Sequence, residues 1–433
     1  MLVLLLAAAL PVESAEPLLP LTDPAVVVAG HREGESEIPD WIRQVRLAGF
    51  VQVDGVGFDQ DAGTRQILGD LEDIANIRRA RVILSGPITD RIDYRFGLDF
   101  GGPGRPSFLD TRIDIGLFGT SAADPIEPVT VLDGDETEDE DFLLLRLGRA
   151  KQPQSMSALE SSAELLFLER ATPLSQAVVR ELGATFWGTA LSRRVSYGIG
   201  GYRNDGNVFG AVSGDAGYGL AGRVTTSTIG ESALLHLAAS GVVQSNDDGM
   251  QSFSARPGVG FNEFDFADGN EPAVPAFIDT GNIAVDRTRQ LGLEAGLRIE
   301  SLLLRGELLA SRLDRDADPT AQFWGYFVEA AYCLTGEIRP YNRAFGFFGG
   351  ITPDTVVLDG GLGAIELAAR YETTDFTDAD IRGGRLGVVT LGANWFWSDR
   401  LKWQANAILS ETDRDGVADA RTNIYAVRMQ FRF

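Results

Sequence analysis

From Asn423 to Phe433 the chain alternates. Tyr425, Val427, Met429, Phe431 and Phe433 hold one parity, and Ala426, Arg428, Gln430 and Arg432 hold the other. Successive side chains on opposite faces are strand geometry. The pattern returns at Ile92–Phe100, Leu235–Val243, Leu291–Leu297, Tyr326–Leu334 and Val389–Trp395. Each strand needs cover for its apolar face, and the chain has too few helical patterns to supply it. Lipid remains. The sequence therefore predicts an all-β fold, a transmembrane antiparallel β-barrel of about 16 strands, in a bacterial outer membrane. Trp187, Trp324, Trp395, Trp397 and Trp403 suit interfacial girdles.

Short and long connections alternate. Turns are expected near Ser85–Arg91, Ser192–Arg194, Thr228–Glu231 and Ser398–Arg400. Longer links are expected near Asp54–Ala75, Lys151–Arg180, Asn204–Ala216, Gln244–Thr288, Thr374–Gly384 and Thr412–Arg421. Barrels of this kind have short periplasmic turns and longer external loops. The strand count stays even if Phe253–Gly260 lies within a loop, and both chain ends then face the periplasm. Two links on the turn side are long, Gly119–Asp141 and Ile338–Gly363. The first carries nine carboxylates and no base, and reads as a solvated loop.

Hydrophobic content is 44% and mean hydropathy is −0.02. Such an average looks soluble because alternating strands give a weak signal. Residues 1–15 resemble a secretory signal peptide cleaved near Ser14 or Ala15, with a buried N-terminal helix as the other reading. Residues 16–40 read as a periplasmic tail, and residues 41–433 as the barrel. Cys333 is the sole cysteine and can make no internal disulfide. The formal charge of −24 argues against nucleic-acid binding. Lys151 and Lys402 are the only lysines, so arginine carries nearly all the positive charge.

Chemical motifs are weak. Gly217–Gly222 matches a dinucleotide glycine spacing but continues as a strand instead of opening a helix. Glu411–Gly416 resembles the start of a calcium loop, yet its twelfth position is Thr422. His236 and Ser240 share a strand face without a surrounding hydrolase motif. No enzyme activity, catalytic residue, metal or cofactor is expected.

Several segments resemble the phosphate-selective porin O and P family. They are Arg78–Val82 with Ile92–Phe100; Leu145–Pro153, Leu159–Ser162 and Phe167–Pro173; Phe253–Pro257; Tyr332–Tyr341; Glu366–Tyr371; and Thr390–Trp395. Together they run from about residue 41 to the end. The resemblance implies a sixteen-stranded barrel, usually a homotrimer, that passes small anions such as phosphate or pyrophosphate. It implies a third loop folded inward and an arginine ladder, to which Arg78, Arg79, Arg81, Arg170 and Arg256 would belong. The lysine cluster of the family's best-known members is missing.

Arg79 and Arg81 share a parity. Arginine facing lipid at mid-membrane costs roughly 2–4 kcal/mol, so both should point into the lumen. Guanidinium stays ionised and forks two hydrogen bonds to phosphate or carboxylate. The same arginines could instead brace the wall against carboxylates such as Asp93 and Asp99. Leu159, Ala163, Leu166 and Phe167 suit a short helix over Ala158–Leu168, flanked by Glu160, Glu164 and Glu169. A constriction of mixed sign follows, hence a weakly anion-selective or general pore. The competing reading is a structural or adhesin barrel with a plugged lumen.

Overall fold

The computed structural model describes residues 45–102, 106–119, 140–204, 217–230, 233–246, 249–259 and 274–433. The signal-like segment, the tail and most of the acidic insertion lie outside them. Sixteen strands form one closed barrel in which each pairs with its sequence neighbour. They are β1 (Arg46–Gln60), β2 (Ile74–Thr89), β3 (Ile92–Asp99), β4 (Ser107–Phe118), β5 (Leu143–Lys151), β6 (Arg180–Ala190), β7 (Val195–Asn204) and β8 (Gly217–Ile229). Then come β9 (Ala233–Ser245), β10 (Arg287–Ile299), β11 (Leu302–Asp314), β12 (Ala321–Cys333), β13 (Ala364–Asp378), β14 (Ile381–Phe396), β15 (Leu401–Arg414) and β16 (Val417–Arg432).

β16 returns to β1 and closes the wall, with Phe50 opposite Arg432 and Gln60 opposite Thr422. Closure leaves no unpaired sheet edge, which a hydrocarbon surround requires. The two faces segregate as the alternation requires. Leu291, Leu293, Val389, Leu391, Tyr425 and Val427 are exposed, while Gln290, Glu294, Thr390 and Arg428 are buried. No helix among the described residues is long and apolar enough to cross a membrane. Phe253–Val259 stays out of the wall: Ser254–Ala255 pairs with Ile278–Asp279 inside the loop between β9 and β10.

Three expectations change. The links at Thr374–Gly384 and Thr412–Arg421 are hairpins, because β13–β14 and β15–β16 continue as ribbons to tight turns. Beyond the lipid the outer face meets water and no longer has to be apolar, so the hydrophobic alternation stops while the strand does not. Asp415 (φ 56°) and Gly416 (φ 80°) supply the two positive-φ positions of a tight hairpin turn. Trp187 is no girdle residue: it is fully buried on the inner face of β6, its ring 5.1 Å from that of Phe345. The helix near Ala158–Leu168 is only α2, Met156–Leu159; the other short helix, α1 (Ala62–Leu68), lies between β1 and β2.

The barrel's inner face is crowded. Phe253, Phe277, Ile278 and Ile283, from the β9–β10 loop, pack on Phe323, Phe376, Leu386 and Val388. From the other end, the segment between β12 and β13 brings Phe345, Phe347 and Phe348 against Leu144, Trp187, Leu234 and Leu303. Its short pair, Tyr341–Asn342 with Phe347–Phe348, is anchored by Arg223, which donates to the carbonyls of Phe345 and Gly346 at 2.7 Å each. Arg339 adds a bidentate pair to Glu366, both contacts 2.7 Å.

Candidate pore constriction

The loop between β5 and β6 has little regular structure because side chains of the wall replace its own N–H groups as donors. Lys402 donates to the carbonyl of Ala163 at 2.6 Å and Gln404 to that of Leu165 at 3.1 Å. Asn394 donates to Leu166 at 2.9 Å, and Arg428 to Leu168 at 2.5 Å. Gln52 donates to Ser162 at 3.1 Å. On the other side, the Glu307 carboxylate accepts from Ser155 Oγ at 2.6 Å and from the Ser157 N–H at 2.8 Å. These donors and acceptors come from β1, β11, β14, β15 and β16. The carbonyls of Ser162, Ala163, Leu165, Leu166 and Leu168 thus find their partners on the wall, where the chain follows no helix.

The three glutamates of the loop all meet wall arginines. Glu160 pairs with Arg305, which also holds Glu329 at 2.5 Å. Glu164 pairs with Arg432. Glu169 lies 3.0 Å from Arg78, 2.6 Å from Arg79 and 2.9 Å from Arg428. Burial alone would push the Glu169 carboxyl up, but these arginines hold it well below the usual carboxylate range.

Arg78 and Arg79 reach the same carboxylate because the ladder slips between Gln52 and Val53, which pair with Arg79 and Ile77. The extra residue is Arg78, and such a bulge turns two consecutive side chains inward. Arg81, beyond it, pairs with Asp99 at 2.7 Å and donates to Ser162 Oγ at 3.1 Å. Arg170 belongs to the loop and folds back on it, donating to the carbonyls of Ser157 and Glu160 at 2.6 Å each. Arg256 sits in the β9–β10 loop and donates to the Val274 carbonyl at 2.7 Å.

One narrow cavity, about 60 Å³, lies between this loop and the wall. Of the nominated residues only Arg81 and Leu159 line it; Glu160, Glu164 and Glu169 do not. The sequence reading missed most of its basic lining: Arg95, Arg112, Arg146, Lys151 and Arg180 join Arg81 there. Asp110 takes Arg180 at 3.0 Å, Arg112 at 3.3 Å and Arg95 at 3.8 Å. Asp114 takes Arg112 at 3.1 Å and Arg146 at 2.7 Å. A protein of charge −24 nevertheless gathers six basic side chains around one cavity on the inner wall. The signal was present as inward parity on β3, β4 and β5, where Arg95, Arg112 and Arg146 alternate with apolar neighbours.

A family model described as phosphate-selective porin O and P matches residues 45–433. An uncharacterized protein of Caulobacter vibrioides is 31% identical over 129 residues, 29% of this chain and 25% of that protein. Porin O of Pseudomonas aeruginosa is 28% identical over 155 residues, 33% of this chain and 34% of that porin. The chain therefore aligns with only a part of each curated relative. Among solved structures, a loop L8 deletion mutant of OmpT, an outer membrane protein of Vibrio cholerae, is similar at a TM-score of 0.54 and 10% identity. The match covers 90% of this chain and 99% of that one. An anion-selective porin from Comamonas acidovorans has a TM-score of 0.50 at 13% identity, covering 90% and 99%. These structural likenesses speak for the fold. With a closed sixteen-stranded wall, apolar on its outer face, and a family match from residue 45 to the last, the chain belongs to the phosphate-selective porin O and P family of the bacterial outer membrane.

Proposed function

We propose that this channel passes small hydrophilic solutes, anions ahead of cations, through the gap between the β5–β6 loop and the wall of β1 to β6. The loop acts as the constriction. The convergence of Arg81, Arg95, Arg112, Arg146, Lys151 and Arg180 on one narrow space carries this reading. Because each has a carboxylate or carbonyl nearby, a passing anion meets a row of shallow sites with no deep trap, as conduction requires. Preference for phosphate over chloride is accordingly weak. Arg78, Arg79 and Arg170 serve the path indirectly by fixing the loop. Assembly as a homotrimer belongs to the same proposal; one similar structure is titled as the trimer form of OmpT of Vibrio cholerae.

Reversal potentials across a planar bilayer under a potassium chloride gradient test the proposal. A modest anion preference, with phosphate within a few-fold of chloride, is the expected result. Cation preference would overturn it. A second reading is favoured by the aromatic packing of the β9–β10 loop and the β12–β13 segment on the inner wall: a plugged structural barrel. That reading predicts no conductance steps at all.

A further inference from the structure

The cavity has two unlike sides. Opposite the basic wall stand Phe345 and Phe347, brought there by the β12–β13 segment, together with Leu159, while Phe50 lies on the wall itself as the cross-strand partner of Arg81. The rings are fixed. Phe345 packs edge-on to Trp187 at 5.1 Å, and Arg223 clamps the carbonyls of Phe345 and Gly346. Cations and rings also interleave: the Arg146 guanidinium lies 5.5 Å from the Phe345 ring centre, and that of Arg81 lies 5.4 Å from the Phe50 ring centre. The space holds only a few waters at ~10–15 Å³ each, so a solute touches both sides as it passes.

A fully hydrated inorganic anion gains nothing from an aromatic side and must shed water against it. A solute with a carboxylate at one end and a flat apolar body at the other matches both sides. The carboxylate takes a guanidinium fork while the ring stacks on phenylalanine and arginine faces. We infer that the preferred solutes of this constriction are small organic anions, monocarboxylates carrying a single aromatic ring. The inference rests on the anion-path reading above and narrows it to a substrate class.

The test uses the whole protein in planar bilayers, with chloride current as the readout and sodium benzoate, acetate or phosphate added. Benzoate should block half the current at a concentration at least threefold below that for acetate or phosphate. Phe347→Ala should shrink the benzoate-to-acetate ratio below twofold, and Phe347→Leu, which keeps the volume but loses the flat ring, should give an intermediate ratio. Chloride current with equal block by benzoate and acetate, or with phosphate the strongest blocker, overturns this inference alone. The wild-type comparison decides that point even if a variant fails to fold. Absence of any chloride current overturns the anion-path reading and this inference together.

Discussion

Arg79 Nη2 lies 2.6 Å from Glu169 Oε2, joining the bulge in β2 to the loop that follows β5. Its sequence neighbour Arg78 reaches the other carboxylate oxygen at 3.0 Å. Two consecutive residues of a regular strand would point to opposite faces. The slip opposite Gln52 and Val53 is what lets both arginines hold one carboxylate. Glu169→Gln leaves buried guanidinium charge without its counter-charge, which typically costs about 3–5 kcal/mol. Urea titration of the protein refolded in lipid vesicles should show a loss of that order, and single-channel records should become noisier as the loop loosens.

The same ion pair sets an acid response. Glu169 has a folded pKa held below its unfolded value, so its stabilisation is present above the unfolded value, near ~4.3, and declines as pH falls from there toward the folded one. Between pH 7 and pH 5 the loop should stay anchored and open-channel conductance should not change from this source. Glu169→Gln removes the acid-dependent part of the stability. Unfolding midpoints of the two proteins, measured at pH 7 and at pH 3, should converge at the lower pH.

Arg180, 3.0 Å from Asp110 and partly accessible at the cavity, is a direct probe of selectivity. Arg180→Gln should lower the chloride-over-potassium permeability ratio by about two- to fourfold in dilute salt, the size expected for one screened charge beside the path. Raising the salt to 1 M should shrink the difference. An unchanged reversal potential would place the ion path elsewhere.

Gly346, at the tip of the β12–β13 segment, has φ +66°, and an added Cβ would come within 2.6 Å of Thr225 Cγ2. Gly346→Val combines backbone strain with overpacking and should cost about 1–3 kcal/mol. The cheapest relief is withdrawal of the tip from Arg223, which widens the aromatic side of the cavity. Single-channel conductance should rise. A fall in conductance with normal folding would show that the segment props the path open instead of narrowing it.

Val389 and Thr390 test the lipid face. Val389 is 41% exposed on the outer side of β14, and Thr390 is fully buried on the inner side. Val389→Arg should cost about 2–4 kcal/mol near the bilayer midplane, read as the folding free energy in phospholipid vesicles. Val389→Leu should be close to neutral. Equal stability of the arginine variant would put this face against protein, as in a subunit interface with polar partners.

The wall was legible in the sequence because lipid imposes a local rule. Every second residue facing hydrocarbon must be apolar, so Leu291, Leu293, Val389, Leu391, Tyr425 and Val427 announce the strands, the outer face and the closed barrel without any knowledge of partners. The inner face obeys no such rule. Phe323, Phe376 and Val388 point inward yet are apolar, since the β9–β10 loop covers them. Asp93 and Asp99 both looked like partners for arginine, and Asp99 is the one that pairs with Arg81. Arg256 matched a family segment, and it donates within its own loop, to the Val274 carbonyl. Which arginines hold the β5–β6 loop depended on a one-residue slip in β2 and on contacts between residues ~90 or more apart in the chain. It also depended on a turn-side segment that carries aromatics into the barrel. Alternation is set residue by residue through the pleat, whereas the cavity beside the β5–β6 loop exists only once the wall has closed and the loop has met its inner hydrogen-bonding groups.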